Sequence, residues 1–137
     1  MPLSVNSFQP ATQRFALSCG AAYLNDIQGF PDPAVHAALA SSACQLIMMH
    51  SVQRTGTATR VITDPEMVMD SIGRFFSARL AVLQAAGISR DRLILDPGLG
   101  YFPPLPRECH RREHDIRLLA ILASDHVNSY KIAVRVR

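Results

Sequence analysis

The sequence predicts an α/β protein: a parallel sheet with helices outside it. Two observations carry this. Short, almost wholly apolar runs alternate with longer stretches of helical spacing, and the runs end on polar residues. Strands buried on both faces read as continuous apolar runs, and parallel strands need crossover helices between them. A flavodoxin-like open sheet and a (β/α) barrel both satisfy the pattern. No G-x-G-x-x-G turn follows the first strand, which disfavours a dinucleotide fold.

Residues 3–6 form the first strand. Gln9-Pro10 opens a helix, with proline in its first turn, and Gly20 closes it. Residues 23–27 are the second strand, and Gly29-Phe30-Pro31 is loop. Asp32-Pro33 starts a helix that reaches Ser41, and residues 45–49 are the third strand. A polar loop runs from His50 to Thr63. Asp64-Pro65-Glu66 then supplies an N-cap carboxylate, a first-position proline and an acid in the first turn. In that helix Met67, Ile72, Phe75, Phe76, Leu80 and Leu83 fall on one stripe, and Gly87 ends it. Residues 93–95 are the fourth strand, running into Asp96-Pro97-Gly98-Leu99-Gly100. A further helix and a candidate fifth strand, residues 130–136, follow.

The 137 residues amount to one domain, 48% hydrophobic and 18% charged, which is globular rather than disordered composition. The net charge of +3 is unevenly placed. Residues 1–102 hold seven basic and seven acidic residues, whereas residues 103–137 hold seven basic against four acidic, and three of the five histidines. Such a break marks a boundary. The basic excess is diluted by acids and lacks an aromatic platform, so nucleic acid is not an expected partner. Cys19, Cys44 and Cys109 are odd in number and irregularly spaced, which suits a reducing compartment better than a disulfide framework. Cys19 and Cys44 are expected to be small core residues. The start, MPLSVNSFQP, has no basic or apolar leader pattern, and no apolar run approaches membrane-spanning length. A cytoplasmic protein without a membrane partner is expected.

The strand ends carry the candidate chemistry. Parallel α/β folds bind ligands at the C-terminal ends of their strands. Those ends here are Asn6, Asn25-Asp26, Met49-His50 and Asp96. Asparagine both donates and accepts hydrogen bonds, and aspartate accepts from two N–H groups. Converging on one pocket, they suit a flat heterocycle with an amide-like edge. The competing reading makes each a cap for the helix that follows, open to Asn6 and Asp26 in particular. His50 reads as a hydrogen-bonded pocket-wall residue sooner than as a general base.

Three segments carry a family resemblance. They are Tyr23-Leu24-Asn25-Asp26-Ile27-Gln28-Gly29-Phe30-Pro31-Asp32-Pro33, Met48-Met49-His50-Ser51-Val52-Gln53-Arg54 and Leu93-Ile94-Leu95-Asp96-Pro97-Gly98-Leu99-Gly100-Tyr101-Phe102. Their order and spacing resemble dihydropteroate synthase over about residues 3–102, and within it the plasmid-borne, sulfonamide-insensitive branch. The resemblance implies a partial TIM (β/α) barrel of four to five parallel strands with outer helices. It implies folate biosynthesis: joining hydroxymethyl-dihydropterin pyrophosphate to p-aminobenzoate with release of pyrophosphate. By the same resemblance Asn25 and Asp96 hydrogen-bond the pterin, Ile27 and Met49 pack on its faces, and Tyr101 lies near the aminobenzoate. Asn6 stands where the family has an aspartate that also contacts the pterin. That exchange removes one charge-assisted bond, of order ~1–3 kcal/mol.

The resemblance also implies absences. The family's magnesium is held by a strand with no counterpart in this sequence, so no metal ligand is assigned here. The Ser-Arg-Lys and Arg-x-His motifs that would stabilise the leaving pyrophosphate are not found either. The 137 residues are therefore expected to be inactive alone, with no catalytic residue assigned. The alternative is a non-catalytic remnant whose open half-barrel pairs into a homodimer or aggregates. After Phe102 the resemblance stops, and residues 103–137 are expected to be a divergent basic tail produced by a frameshift or rearrangement. Within it His110-Arg111-Arg112-Glu113-His114 fits the pattern of inverted zinc peptidases. A solvated basic helix face is favoured over a zinc site, because no distal third ligand accompanies it.

Overall fold

The computed structural model describes residues 1–50 and 65–98, with side chains of the long helix from Asp70 onward, and the backbone of the strand at 131–132. The first strand, β1 (Ser4–Asn6), leads into helix α1 (Pro10–Ser18). Pro10 sits in the first turn of α1, where the missing N–H has no intrahelical partner to lose. Gly20 closes the helix in the left-handed region, φ 72°, and the Ala21 N–H donates back to the Ala16 carbonyl at 3.0 Å. Strand β2 (Tyr23–Asp26) follows. The helix expected from Asp32 to Ser41 comes in two pieces, a 3-10 turn at Pro33–Val35 and α2 (His36–Ser41). Asp32 accepts a hydrogen bond from the Ala34 N–H at 2.8 Å, which tightens that first turn.

Next come β3 (Gln45–Met49), the 21-residue α3 (Pro65–Ala85) and β4 (Leu93–Asp96). Gly87 ends α3 as Gly20 ends α1, at φ 85°. Of the stripe expected on α3, Ile72, Phe76, Leu80 and Leu83 are buried and Phe75 is partly buried against the core. The Met67 side chain and the Asp64 cap lie outside the described residues, as does the expected tail helix. Of the fifth strand expected at 130–136, β5 (Lys131–Ile132) is described, and the other positions lie outside the described residues.

All five strands are parallel, in the order β1-β2-β3-β4-β5. That order separates the two architectures the sequence left open. A flavodoxin-like sheet reverses direction at a switch point, with strand order 2-1-3-4-5, whereas a singly wound barrel adds each strand beside the last. The chain winds one way. Its main core accordingly lies on one face of the sheet. Leu24, Leu46, Met48, Leu93 and Leu95 pack there against Ala16, Phe30, Val35, Leu39, Ile72, Phe76, Leu80 and Leu83.

One cation ties the helix layer to the sheet. The Arg92 guanidinium, just before β4, reaches the C-terminal end of α2. It donates to the carbonyls of Leu39 (2.8 Å), Ala40 (3.4 Å) and Cys44 (2.8 and 3.0 Å) and to the Ser42 hydroxyl (3.0 Å). These include the last carbonyls of a helix, which lack intrahelical donors and carry its negative dipole end.

Candidate functional site

Alternation along each strand sends neighbouring residues to opposite faces. Because Leu24, Leu46, Met48, Leu93 and Leu95 face the helices, Asn25, Ile47, Met49, Ile94 and Asp96 face the other way. On that side the register puts Asn6 beside Asn25, followed by Ile47 and Ile94. Two residues further along, about 6–7 Å towards the C-terminal strand ends, Met49 lies beside Asp96. Ile27, Met49 and Ile94 are buried yet do not belong to the core that packs the helices on the sheet. The sheet therefore brings Asn6, Asn25, Met49 and Asp96 onto one face at its C-terminal end, with Ile27 immediately after β2. Tyr101 lies outside the described residues.

This face has an unsatisfied acceptor. The Asn25 Oδ1 is buried and has no hydrogen-bond partner among the described residues. A buried acceptor left alone costs about 1–3 kcal/mol, so the position suits an incoming N–H donor. Asp96 is held in place by its own turn. Its carboxylate Oδ1 accepts from the Gly98 N–H at 2.9 Å, and its backbone carbonyl accepts from the His50 N–H at 2.8 Å. A ligand on this face would meet the Asn25 amide and the Asp96 carboxylate as acceptors, with Met49 beside Asp96.

Three expectations change. Asp26, adjacent to Asn25, points to the opposite side and takes no place in the polar row. It is buried, and its carboxylate accepts from the Gln13 side chain (2.8 Å) and from the Gln28 and Phe30 N–H groups (2.7 and 3.1 Å). Burial pushes its pKa up, opposed by those hydrogen bonds and by Arg79. It holds a loop and caps no helix, and α1 likewise has no side-chain cap from Asn6. His50 also turns away: its ring packs edge-on to Phe75 at 5.3 Å, with Nε2 at 3.3 Å from the Ser71 hydroxyl of α3. Burial lowers its pKa to about 4, opposed by a hydrogen bond involving the Pro97 backbone, so the ring is neutral near pH 7. Cys19 is exposed rather than part of the core, because it follows the last turn of α1; Cys44 is buried as expected, and burial raises its thiol pKa. Cys109 and the His110–His114 motif lie outside the described residues.

Sequence reasoning passed over Gln13. It is a fully buried polar residue on α1, three positions before the buried Ala16. That spacing was the available signal, since it sets a glutamine on the core-facing stripe.

Among the described residues, no group of three or more His, Cys, Asp or Glu is placed to hold a metal ion. The described residues therefore do not fit a magnesium site. No helix among them is long and apolar enough to cross a membrane.

A family model described as pterin binding enzyme matches residues 1–134. This chain belongs to the pterin binding enzyme family. Among its relatives in that family, dihydropteroate synthase type-1 of Escherichia coli is 55% identical over 101 residues, covering 73% of this chain and 36% of that protein. The chain thus spans little more than a third of that relative's length. Among solved pterin binding enzymes, dihydropteroate synthase from Anaplasma phagocytophilum with bound 6-hydroxymethylpterin-monophosphate superposes with a TM-score of 0.71 at 26% identity, covering 96% of this chain and 50% of that one. The Xanthomonas albilineans enzyme with 4-aminobenzoic acid gives 0.63 at 29% identity, covering 88% and 40%. These neighbours are TIM barrels, and the present α/β chain corresponds to part of one.

Proposed function

We propose that this chain forms the pterin-binding wall of a dihydropteroate-synthase-type site, serving the condensation of hydroxymethyl-dihydropterin pyrophosphate with p-aminobenzoate. The observation that carries the reading is the buried, unpartnered Asn25 Oδ1 on the same sheet face as Asp96. Asn25 and Asp96 accept from the pterin's N–H edge, Ile27 and Met49 pack on its two faces, and Asn6 adds a third polar contact. Tyr101, outside the described residues, is given its place near the aminobenzoate by the family resemblance alone. In the reaction the aminobenzoate nitrogen bonds to the pterin methylene carbon as the carbon–oxygen bond to pyrophosphate breaks. The residues named here bind and orient; none is assigned the proton or the leaving group.

Finer readings belong to the same proposal. The type-1 relative supports placing the chain in the sulfonamide-resistance branch. Magnesium, if used, would be held by residues other than those described. The charge break supports a boundary at residue 102, with a divergent segment after it. Condensation by these 137 residues alone is expected to be undetectable. A cytoplasmic location goes with the soluble substrates. Self-association is the second reading, favoured by β1, which has a neighbour on one side only among the described strands.

Calorimetric titration of the purified chain with 6-hydroxymethylpterin tests the main proposal. Binding that is lost in both Asn25→Ala and Asp96→Ala supports it. A folded wild-type chain that binds no pterin refutes it. Size-exclusion chromatography tests the second reading, which a concentration-independent monomer would exclude.

A further inference from the structure

Two loops follow the strand ends that carry Asn6 and Asn25, and the structure joins these loops behind the sheet. The fully buried Gln13 of α1 donates from Nε2 to the Ser7 carbonyl at 2.8 Å and to the Asp26 Oδ2, also at 2.8 Å. Ser7 directly follows Asn6, and its N–H donates to the Asn25 carbonyl at 2.9 Å. Both partners of the Gln13 amide nitrogen are acceptors only, so the amide has a single usable orientation. Asp26 in turn gathers the next loop: its carboxylate takes the Gln28 and Phe30 N–H groups, and its carbonyl takes the Gly29 N–H at 3.1 Å.

That loop is strained. Gly29 and Phe30 both have positive φ, 68° and 56°, and a bulky residue such as phenylalanine rarely adopts this conformation. Complete burial of Phe30 and the Asp26 hydrogen bonds offset the strain. Gly29 is also pressed onto α3, since a Cβ there would lie 2.7 Å from the Phe75 ring. Backbone held in such regions persists where surrounding structure over-determines it, commonly beside ligand sites. The loop begins with Ile27.

We propose that Gln13 and Asp26 are positioning residues that couple the loops after β1 and β2, and so set where Asn6, Asn25 and Ile27 stand relative to one another for the pterin. The proposal rests on the pterin reading for its ligand and on hydrogen bonds alone for the coupling. Neither residue touches the ligand; both act from the helix side of the sheet.

The test uses the 15N-labelled 137-residue chain and its Gln13→Met, Asp26→Asn and Asn25→Ala variants. Gln13→Met keeps the side chain's length, removes the donor, and leaves the Asp26 bonds to Gln28 and Phe30 intact. Amide hydrogen exchange reads local opening separately from global unfolding. In Gln13→Met, the Gln28 and Phe30 amides should exchange about tenfold faster while β3 amides keep their wild-type protection, as loss of one buried hydrogen bond implies. The same variant should weaken 6-hydroxymethylpterin binding by about tenfold, and Asp26→Asn by more.

Unchanged exchange at Gln28 and Phe30 in Gln13→Met would overturn the coupling. Protection falling together in β3 and the loop would do so too, as would failure to fold, since the pair would then serve the fold as a whole. If Asn25→Ala abolishes binding while Gln13→Met binds like wild type, the positioning role fails and the pterin reading stands. If wild type binds no pterin, that reading fails alone, and the exchange data still decide the coupling.

Discussion

Replacing Gly98 by alanine should damage the stability of the chain and its ligand site together, and the structure gives the size of the effect. Gly98 has φ 70°, in the left-handed region. That conformation costs an ordinary L-residue about 1–2 kcal/mol. Space adds a second cost. A Cβ on Gly98 would lie 2.2 Å from the His50 carbonyl oxygen, which is backbone and cannot swing aside. The turn must retreat by roughly 1 Å to restore ordinary contact. That movement breaks the Gly98 N–H bond to the Asp96 carboxylate, worth about 1.5–3 kcal/mol as a hydrogen bond to a charged group. The total is about 3–4 kcal/mol, and Asp96 loses the group that orients it. Two other glycines serve as controls. Gly20 (φ 72°) would meet nothing within 4 Å, and Gly87 (φ 85°) only the Ala40 Cβ at 4.0 Å. Gly20→Ala and Gly87→Ala should each cost about 1–2 kcal/mol and leave pterin affinity unchanged. Urea unfolding should therefore place Gly98→Ala about 1 M below these controls. Calorimetry should show pterin affinity reduced more than tenfold. If Gly98→Ala matches Gly20→Ala in both assays, the steric argument and the role given to the Asp96 turn are wrong.

Arg92→Ala removes the guanidinium donors to the carbonyls of Leu39, Ala40 and Cys44, leaving Leu39 its bonds from the Ser42 N–H and hydroxyl. The site is half-buried and water can replace part of the loss, so about 2–3 kcal/mol is expected in urea unfolding. Arg92→Lys should recover less than half, because one ammonium cannot span the carbonyls of Leu39, Ala40 and Cys44. His50 has its folded-state pKa lowered from 6.5 to about 4, so between those values the unfolded chain binds the extra proton. Its contribution to stability should be present above pH 6.5 and fall as the pH drops towards 4, by about 3 kcal/mol at most. His50→Gln should flatten that part of the pH–stability curve, and an unaltered slope would assign the dependence to other groups. Asn6→Asp installs the aspartate that the resemblance implies at that position and, on the proposed pterin site, should tighten 6-hydroxymethylpterin binding by about tenfold. Equal or weaker binding would remove Asn6 from the site.

Local chemistry made most of the elements legible in advance. Proline at the start of α1, left-handed glycines after α1 and α3, and continuous apolar strands depend on neighbours in the chain, so β3 was bounded correctly and β2 to within one residue. The polar strand ends were legible for the same reason, since Asn25 and Asp96 follow apolar runs directly. Strand order was not legible. Nothing in a run of apolar residues states which strand it will lie beside, and only the one-way order β1 to β5 separates a barrel segment from an open doubly wound sheet. Nor did composition or periodicity divide Asn25 from Asp26, which are adjacent, polar and nearly equal in size; only the family resemblance singled out Asn25. The pleat of β2 turns one towards the site and the other towards Gln13. The partnerships of Gln13 with Asp26 and of Arg92 with the end of α2 join residues 13 and about 50 positions apart. Composition and periodicity carry no information over such separations; they exist because packing the helices on one face of the sheet brings buried donors and acceptors together, where water cannot satisfy them.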